Sequence, residues 1–548
     1  MDTVPRDTAP STPSSIELEN RTFDLVVVGG GILGACAAWE GALRGLAVAL
    51  LERADFGHAT SANSLKIAHG GLRYLQHLDL RRFRESVQER SLWLRKAPHL
   101  VEPLPVLFPA GESVTHSRPI LLAGLLANDL LSMGRNRDLD PSRRLPAGRL
   151  VSGGELARRI PELAGGHVPG GVLFHDALFR FPERLVLEVV QAATEAGAVA
   201  VNYMEFVGAV RSEGRLTAVE ARDTLLGAEV QVRTRAVLNT AGAGSEAVAS
   251  QLAGDSAPVA PAWSSAVNLV VKGRGHDAAF ALPARASSDT APARQLFVVP
   301  WRGQTMIGTG HYHLPGRLPR PGDVQAIERV KQAATSRFLE EVNRSWPGPE
   351  RFSMDDVELV HWGLLPCLEA ESGEPVELLR RERVIDHGAQ GVAGAFTLLG
   401  VKFTTGRRAA QDALDRVCDF LGHRIGRGAS VQAVLPSTPA ESIDRLQARM
   451  LREYAGLVSE RVCRNLTLTY GARAGSVLQL VASDPSLAEP VVPGFPEIQA
   501  QLVHGVRTEM ARRAEDLVWR RTELGLLGPD LASAMESARR VIEVEADR

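Results

Sequence analysis

Three glycines and one glutamate carry the first recognisable chemistry of this chain. Gly29, Gly31 and Gly34 follow the short run 24–28 (DLVVV), rich in β-branched residues, and fill the pattern G-x-G-x-x-G. The first glycine permits a sharp turn, the second lets a pyrophosphate approach the backbone, and the third lets a helix pack on the strand. A helix over about 32–44 aims its N-terminal amides at that phosphate. A second strand over 46–51 ends at Glu52, whose carboxylate can accept both hydroxyls of an adenosine ribose. Residues 23–53 thus read as a dinucleotide-binding unit. Beyond them, Thr60, Ser61 and Ser64 are small donors suited to phosphate and ribityl oxygens, and Gly70 and Gly71 let the backbone approach a flat ring. Taken singly, His69 and Arg73 would be ordinary loop residues.

Positioning these groups takes more than one domain, because 548 residues exceed a single core. Apolar content of 45% and charge of 23% are those of a soluble globular protein. A formal net charge of −2 argues against nucleic acid as the main partner, since no general basic field gathers phosphates. Cys36, Cys367, Cys418 and Cys463 lack any C-x-x-C or metal-ligand spacing, so reduced buried thiols in the cytoplasm, and no metal, are expected. Residues 1–22, rich in Pro, Ser and Thr, read as a disordered leader rather than a signal peptide. The segment 119–133 (PILLAGLLANDLLSM) is too short to span a bilayer. An arginine-rich loop follows it, which leaves two readings: a helix lying on an anionic membrane, or a core helix beside a solvated loop.

Alternating strand and helix signals predict a mixed α/β (α+β) fold. Helices are expected over 185–196 and 405–421, strands over 198–210, 216–221, 236–239 and 396–399, and a largely antiparallel sheet over 263–309. The expected organisation is a discontinuous Rossmann-like nucleotide domain (23–100, 165–245, 385–425). It is interleaved with a sheet-built substrate or cap domain (101–164, 246–384) and followed by a helical C-terminal domain (435–548).

The order of the pieces is more specific than any piece. A glycine turn with Glu52, then Thr60-Ser61 and SLKIAHGGLRYLQH, then Asn239-Thr-Ala-Gly242, then GVKFTT before a helix, closely resembles the FAD-dependent glycerol-3-phosphate dehydrogenases. These belong to the D-amino-acid-oxidase-like flavoproteins, and the resemblance covers about residues 23–525. SLKIAHGGLRYLQH is similar to the family's S-K-L-I-H-G-G-L-R-Y-L-E-H, and LTYGARAGSVL and RRAEDLVWRRTELGL resemble its C-terminal helical domain, which simple amino-acid oxidases lack.

The resemblance implies FAD, with Gly29, Gly31, Gly34 and Glu52 holding its ADP half. Thr60, Ser61, Ser64 and Lys66 would line the pyrophosphate and ribityl chain, with Gly70 close to the ring. Val207 would touch adenine through its backbone, Ala241 and Gly242 would abut the cofactor, and Gly400, Lys402 and Thr404 would sit at the isoalloxazine edge. Lys402 and the positive end of the helix beginning near 405 would stabilise negative charge on the reduced ring. The implied reaction is oxidation of a secondary alcohol of glycerol 3-phosphate or a related (phospho)polyol by hydride transfer to flavin N5, with electrons passed to quinone or oxygen. His69 would be the base, Arg73 the binder of the anionic oxygens, and Arg380 a second substrate-side arginine. A homodimer, cytoplasmic and peripheral on the inner face of the membrane, is also implied.

Four departures fall in the substrate half. The family's G-V-R-P-L reads Gly363-Leu-Leu-Pro-Cys367, placing Leu365 where an arginine stands; T-T-Y-R reads Thr404-Thr-Gly-Arg407, placing Gly406 where a tyrosine stands. G-T-T-D reads Gly308-Thr-Gly-His311, and K-G-S-H reads Ser265-Ala-Val-Asn268. Loss of a guanidinium removes an anchor worth on the order of 1.5–3 kcal/mol, for which His361, His311 and Arg380 are the compensating candidates. A larger, less charged or differently phosphorylated polyol is one consequence. An amine or amino-acid oxidase is a second reading, weakened by Leu365. A flavin-holding protein without turnover is a third, weakened by His69, Arg73 and Lys402.

Overall fold

The computed structural model describes residues 15–547 except 77, 112–116, 164–168, 255–258, 285–293, 315–317, 320–321, 370–374, 424–425, 427 and 529. At its centre is a six-stranded sheet ordered Arg383–Asp386, Ala395–Leu399, Val237–Asn239, Leu25–Val28, Val48–Glu52, Val199–Asn202. All neighbours are parallel except the Arg383–Asp386 edge strand, which runs antiparallel to Ala395–Leu399. Its strands are apolar on both faces because both are covered. Leu25 and Val27 join the core under the helices Ile32–Leu43, Pro182–Glu195 and Gly406–Leu421. Val26 and Val28 pack on the opposite side against Phe206, Val219 and Val232 of a separate four-stranded sheet.

The expected leader is structured over its last residues. A helix Ser15–Asn20 and a strand Thr22–Phe23 form there, the strand pairing with Arg233–Thr234, because Leu18 and Phe23 are buried in the core beneath that small sheet. Residues 1–14 lie outside the described residues. The strand expected over 198–210 is two strands, Val199–Asn202 and Met204–Ser212, broken at Tyr203, whose φ is +58°.

A nine-stranded, mostly antiparallel sheet forms the second layer. Its strands include Ala262–Val271, Gln304–His313 and Val357–Cys367 at one end and Val101–Pro109 and Gly171–Phe179 at the other. Gly171–Phe179 and the two-residue strand Ile67–Ala68 belong here, whereas the sequence division assigned both to the nucleotide domain. The linking register is Ile67 opposite Leu178 and Ala68 opposite Ala177.

From Ile443 onward the chain is helical, with two small apolar cores of its own. It meets the nucleotide layer through buried charge. The Arg521 guanidinium lies 2.9 Å from Asp55 Oδ1, Arg520 also contacts Asp55, and Arg184 Nη1 is 2.6 Å from Glu509 Oε1. Asn202 Nδ2 donates to the Met510 carbonyl at 2.8 Å, and the Tyr203 hydroxyl to Asp516 at 2.6 Å. All four cysteines are buried thiols. No described helix is long and apolar enough to cross a membrane. The helix Arg118–Leu131 packs Leu125 into the apolar core and leaves Leu126 and Leu130 exposed.

Burial acts to raise the Asp55 carboxyl, but Arg521 and Arg520 outweigh it and hold it far below the usual carboxylate range. A depressed carboxylate contributes stability above its unfolded pKa and loses it as pH falls through the folded value. Replacing Arg521 with Met leaves the Asp55 charge short of a partner. Thermal unfolding at neutral pH is expected to show a loss of about 3 kcal/mol, shrinking as the pH falls through the acid range.

Candidate active site

The turn after Leu25–Val28 is built for close approach. Gly29 has φ +103°, and a Cβ there would lie 2.7 Å from the Ala241 Cα. A Cβ on Gly34 would lie 1.8 Å from the Gly29 carbonyl oxygen, so the helix Ile32–Leu43 rides directly on the turn. Ser61 Oγ accepts from the Ile32 amide at 3.0 Å, just inside that helix's N-terminus, and a Cβ on Gly31 would reach the same oxygen at 3.0 Å. Glu52 is held by two backbone donors: Gly30 N to Oε2 at 2.6 Å and Ala54 N to Oε1 at 2.9 Å.

These groups open on a cavity of about 2500 Å³, well above the roughly 300–1,000 Å³ of a drug-sized ligand site. Of the expected cofactor residues, Gly29, Gly31, Glu52, Thr60, Ser61, Ser64, Lys66, Ala241, Gly242, Gly400, Lys402 and Thr404 line it. The size, the glycine turn and the carboxylate beside it fit a dinucleotide with a substrate next to it.

Several expected residues stand differently. Lys66 reaches the cavity wall, but its ammonium donates to Glu183 Oε1 and the Ala62 carbonyl, each at 3.2 Å, and lies 4.9 Å from the Trp301 ring. Its charge is committed there rather than to a pyrophosphate, and burial lowers its pKa against the pull of Glu183. Gly70 is not on the wall; Gly71 is. Gly70 is required beneath, because a Cβ there would lie 2.1 Å from Arg90 Nη1. Val207 is also off the wall, which Met204, Glu205 and Phe206 form instead. It is the extra residue of a bulge, between Phe206 opposite Ala221 and Gly208 opposite Glu220. Arg380 sits at the rim, 73% exposed, its Nε donating to Glu377 at 2.7 Å. Arg73 lies in the helix Leu72–Gln76, and its side chain is outside the described residues.

His69 lines the cavity with 52% of its side chain exposed, its Nδ1 3.6 Å from Asp176 Oδ2 and its ring edge-on to Phe297. Asp176 Oδ1 accepts from the Gly70 amide at 2.6 Å and from Arg90. Burial acts to raise the Asp176 carboxyl, but His69, Arg90 and the Gly70 amide hold it below the usual range. Across the cavity wall, the Lys402 ammonium sits 4.2 Å from the centre of the Tyr74 ring, and the Arg82 guanidinium sits 4.3 Å from it. The helix Gly406–Leu421 begins just after, its first turn anchored where Trp93 Nε1 donates to the Thr404 carbonyl at 2.9 Å.

Sequence reasoning missed Asp176 and Arg90, and gave Tyr74 no role. A carboxylate inside the strand GVLFHDALF was the available signal. The departures also gain a physical account. At Gly406 a Cβ would already meet Ile32 Cγ1 at 3.1 Å, so Ile32 crowds the position. Leu365 lines the cavity, as does His311. His361 does not compensate for the missing arginine. It is buried with Nδ1 3.3 Å from Asn63 Oδ1, and burial first, then Lys66, push its pKa well below the usual value, keeping it neutral. A cation that does reach the wall is Arg294, which donates to the Thr309 carbonyl and to Glu341, each at 2.9 Å.

Comparisons with known proteins match two parts of the chain. Residues 24–366 match the family model of FAD dependent oxidoreductases, and residues 436–548 that of the C-terminal domain of alpha-glycerophosphate oxidase. The chain is 30% identical over 523 residues to a glycerol-3-phosphate dehydrogenase of Synechocystis sp., covering 94% of this chain and 91% of that one. It is 31% identical over 545 residues to glycerol-3-phosphate dehydrogenase 2 of Mycobacterium tuberculosis, covering 96% and 85%. The solved glycerol-3-phosphate dehydrogenase of Bacillus halodurans, complexed with FAD, superposes with a TM-score of 0.72 at 22% identity, covering 97% of this chain and 92% of that one.

Because Gly34 has no room for a methyl group, Gly34→Ala is expected to separate helix from turn. Purified protein should show normal far-ultraviolet circular dichroism and lose most of its bound FAD absorbance.

Proposed function

The chain belongs to the FAD-dependent oxidoreductase family and carries the C-terminal domain of the alpha-glycerophosphate oxidases, and from that membership we propose that it oxidises the secondary alcohol of glycerol 3-phosphate or a related phosphopolyol to the ketone. The observation that carries the reading is a single cavity lined by the Gly29 turn, by His69 and by Lys402. FAD, when bound, supplies the hydride acceptor.

The residues divide the remaining work. Gly29, Gly31 and Glu52 hold the ADP half, with the N-terminus of Ile32–Leu43 toward the pyrophosphate. Thr60, Ser61 and Ser64 supply small polar contacts along the middle. Lys402, just before the helix Gly406–Leu421, adds an ammonium to that helix's positive end, so negative charge is favoured there. His69 takes the hydroxyl proton, a role an imidazole fills near neutral pH. Arg73 binds the phosphate in this reading. Leu365 makes the wall apolar, so a phosphopolyol larger than glycerol 3-phosphate belongs to the same proposal.

The electron acceptor in this reading is a quinone or oxygen, and the protein works at a membrane surface. Supporting that placement, Leu126 and Leu130 of the helix Arg118–Leu131 are 62% and 63% exposed, and Met133 just beyond is 77% exposed. Arg118 and Arg137 flank this apolar face, a composition suited to anionic headgroups. The helix packs against Leu72–Gln76, the segment that carries Tyr74.

Anaerobic mixing with glycerol 3-phosphate is expected to bleach the flavin absorbance, and His69→Asn to slow that bleaching by about 10²–10⁴-fold. Bleaching by another phosphopolyol alone would move the substrate within the class, and no bleaching by any of them would end the reading. In a separate measurement, the protein is expected to sediment with vesicles containing anionic phospholipid, and the double variant Leu126→Glu/Leu130→Glu to stay in the supernatant.

A further inference from the structure

We propose that Asp176 is a positioning residue for proton transfer, fixing His69 with Nδ1 protonated so that Nε2 is the nitrogen that takes the substrate's hydroxyl proton. The inference rests on His69 being the base in the reading above.

Sheet register brings the two residues together. Ala68 pairs with Ala177, so the residue after Ala68 and the residue before Ala177 meet at the end of the Ile67–Ala68 strand. There the carboxylate is constrained from three sides. Its Oδ1 accepts from the Gly70 amide at 2.6 Å and from Arg90 Nη1, which leaves Oδ2 for the imidazole 3.6 Å away. Arg90 is itself fixed, buried and donating to the His175 carbonyl at 3.3 Å, with Gly70 packed on its guanidinium. Other charged and titratable groups around the pair are His175 on the same strand and, beyond Arg90, Asp129 and Arg135. The strand Gln295–Trp301 presents Phe297, which does not ionise.

An ionised carboxylate only accepts hydrogen bonds, so the nitrogen facing it must donate. The other ring nitrogen then carries the lone pair. When Nε2 takes a proton, the imidazolium forms beside a fixed negative charge that favours it. Catalytic contacts of this kind tighten when substrate binds, which brings 3.6 Å toward hydrogen-bond length.

Asp176→Asn tests the assignment. Arg90 and the Gly70 amide both need an acceptor, so the amide oxygen stays on them and its NH₂ faces Nδ1. The ring proton then moves to Nε2 and the base is lost. In the FAD-loaded enzyme, substrate-driven flavin reduction is expected to slow by about 10²–10⁴-fold, with substrate affinity changed only a few-fold. In a His69→Asn background the same change should cost nothing further. Nitrogen NMR of the wild-type holoenzyme should show His69 protonated at Nδ1, whatever the variant's stability. An Nε2–H tautomer, or an equal cost in the His69→Asn background, would overturn the proposal while His69 stays the base. Wild-type reduction rates in His69→Asn itself would instead remove the base assignment, and this inference with it.

Discussion

The contact between Gly34 and the Gly29 carbonyl is the constraint on which the rest of the site depends. No other residue type lets the helix Ile32–Leu43 sit so low on the strand before it. With the helix there, Thr240 Oγ1 reaches the Val28 and Gly29 carbonyls, each at 2.9 Å, closing the turn from the next strand. Ile32 in turn fills the space over Gly406, so the helix Gly406–Leu421 begins where it does because of the same low seat. Both helix N-termini thus converge on one cavity, and Lys402 stands at the second.

The outer domain reinforces that arrangement from behind. Glu52 faces the cavity, while Asp55, three residues on, faces Arg520 and Arg521 of the C-terminal region. Ala54 links them: its amide holds Glu52, and its carbonyl accepts from the Tyr203 amide at 2.9 Å. Tyr203 also reaches Asp516. The loop that presents the Glu52 carboxylate is therefore pinned by a domain none of whose described residues lines the cavity wall. A buried ion pair adds little stability compared with apolar packing, yet it is costly to break. It makes docking of the C-terminal helices specific rather than merely favourable.

How much of this was legible follows from the range of each interaction. The Gly29–Glu52 unit and the helix after Thr405 were readable because a glycine turn and apolar spacing are local. Asp176 was not, since only the pairing of Ala68 with Ala177, more than a hundred positions apart, puts it beside His69. The partner of Lys66 was hidden for a related reason: the resemblance places it along the cofactor, and Glu183, which accepts from its ammonium, comes from a distant helix. The last residues of the expected leader failed differently. Their composition is polar, but Leu18, together with Phe23 just beyond them, seals one small sheet.

The substrate side obeys a different economy of charge. Burial keeps His361 uncharged, Arg294 is occupied by Glu341 and a backbone carbonyl, and Arg380 is paired at the rim. The cavity wall still carries cations: Lys402 and Arg82, both at the Tyr74 ring, with Arg82 also paired to Asp79, and Arg337 at the Tyr312 ring. Aromatic faces attract cations without neutralising them, so Tyr74 holds two like charges near one another at the wall. Leu365 adds an apolar stretch to the same wall, at the position where the family's pattern carries an arginine.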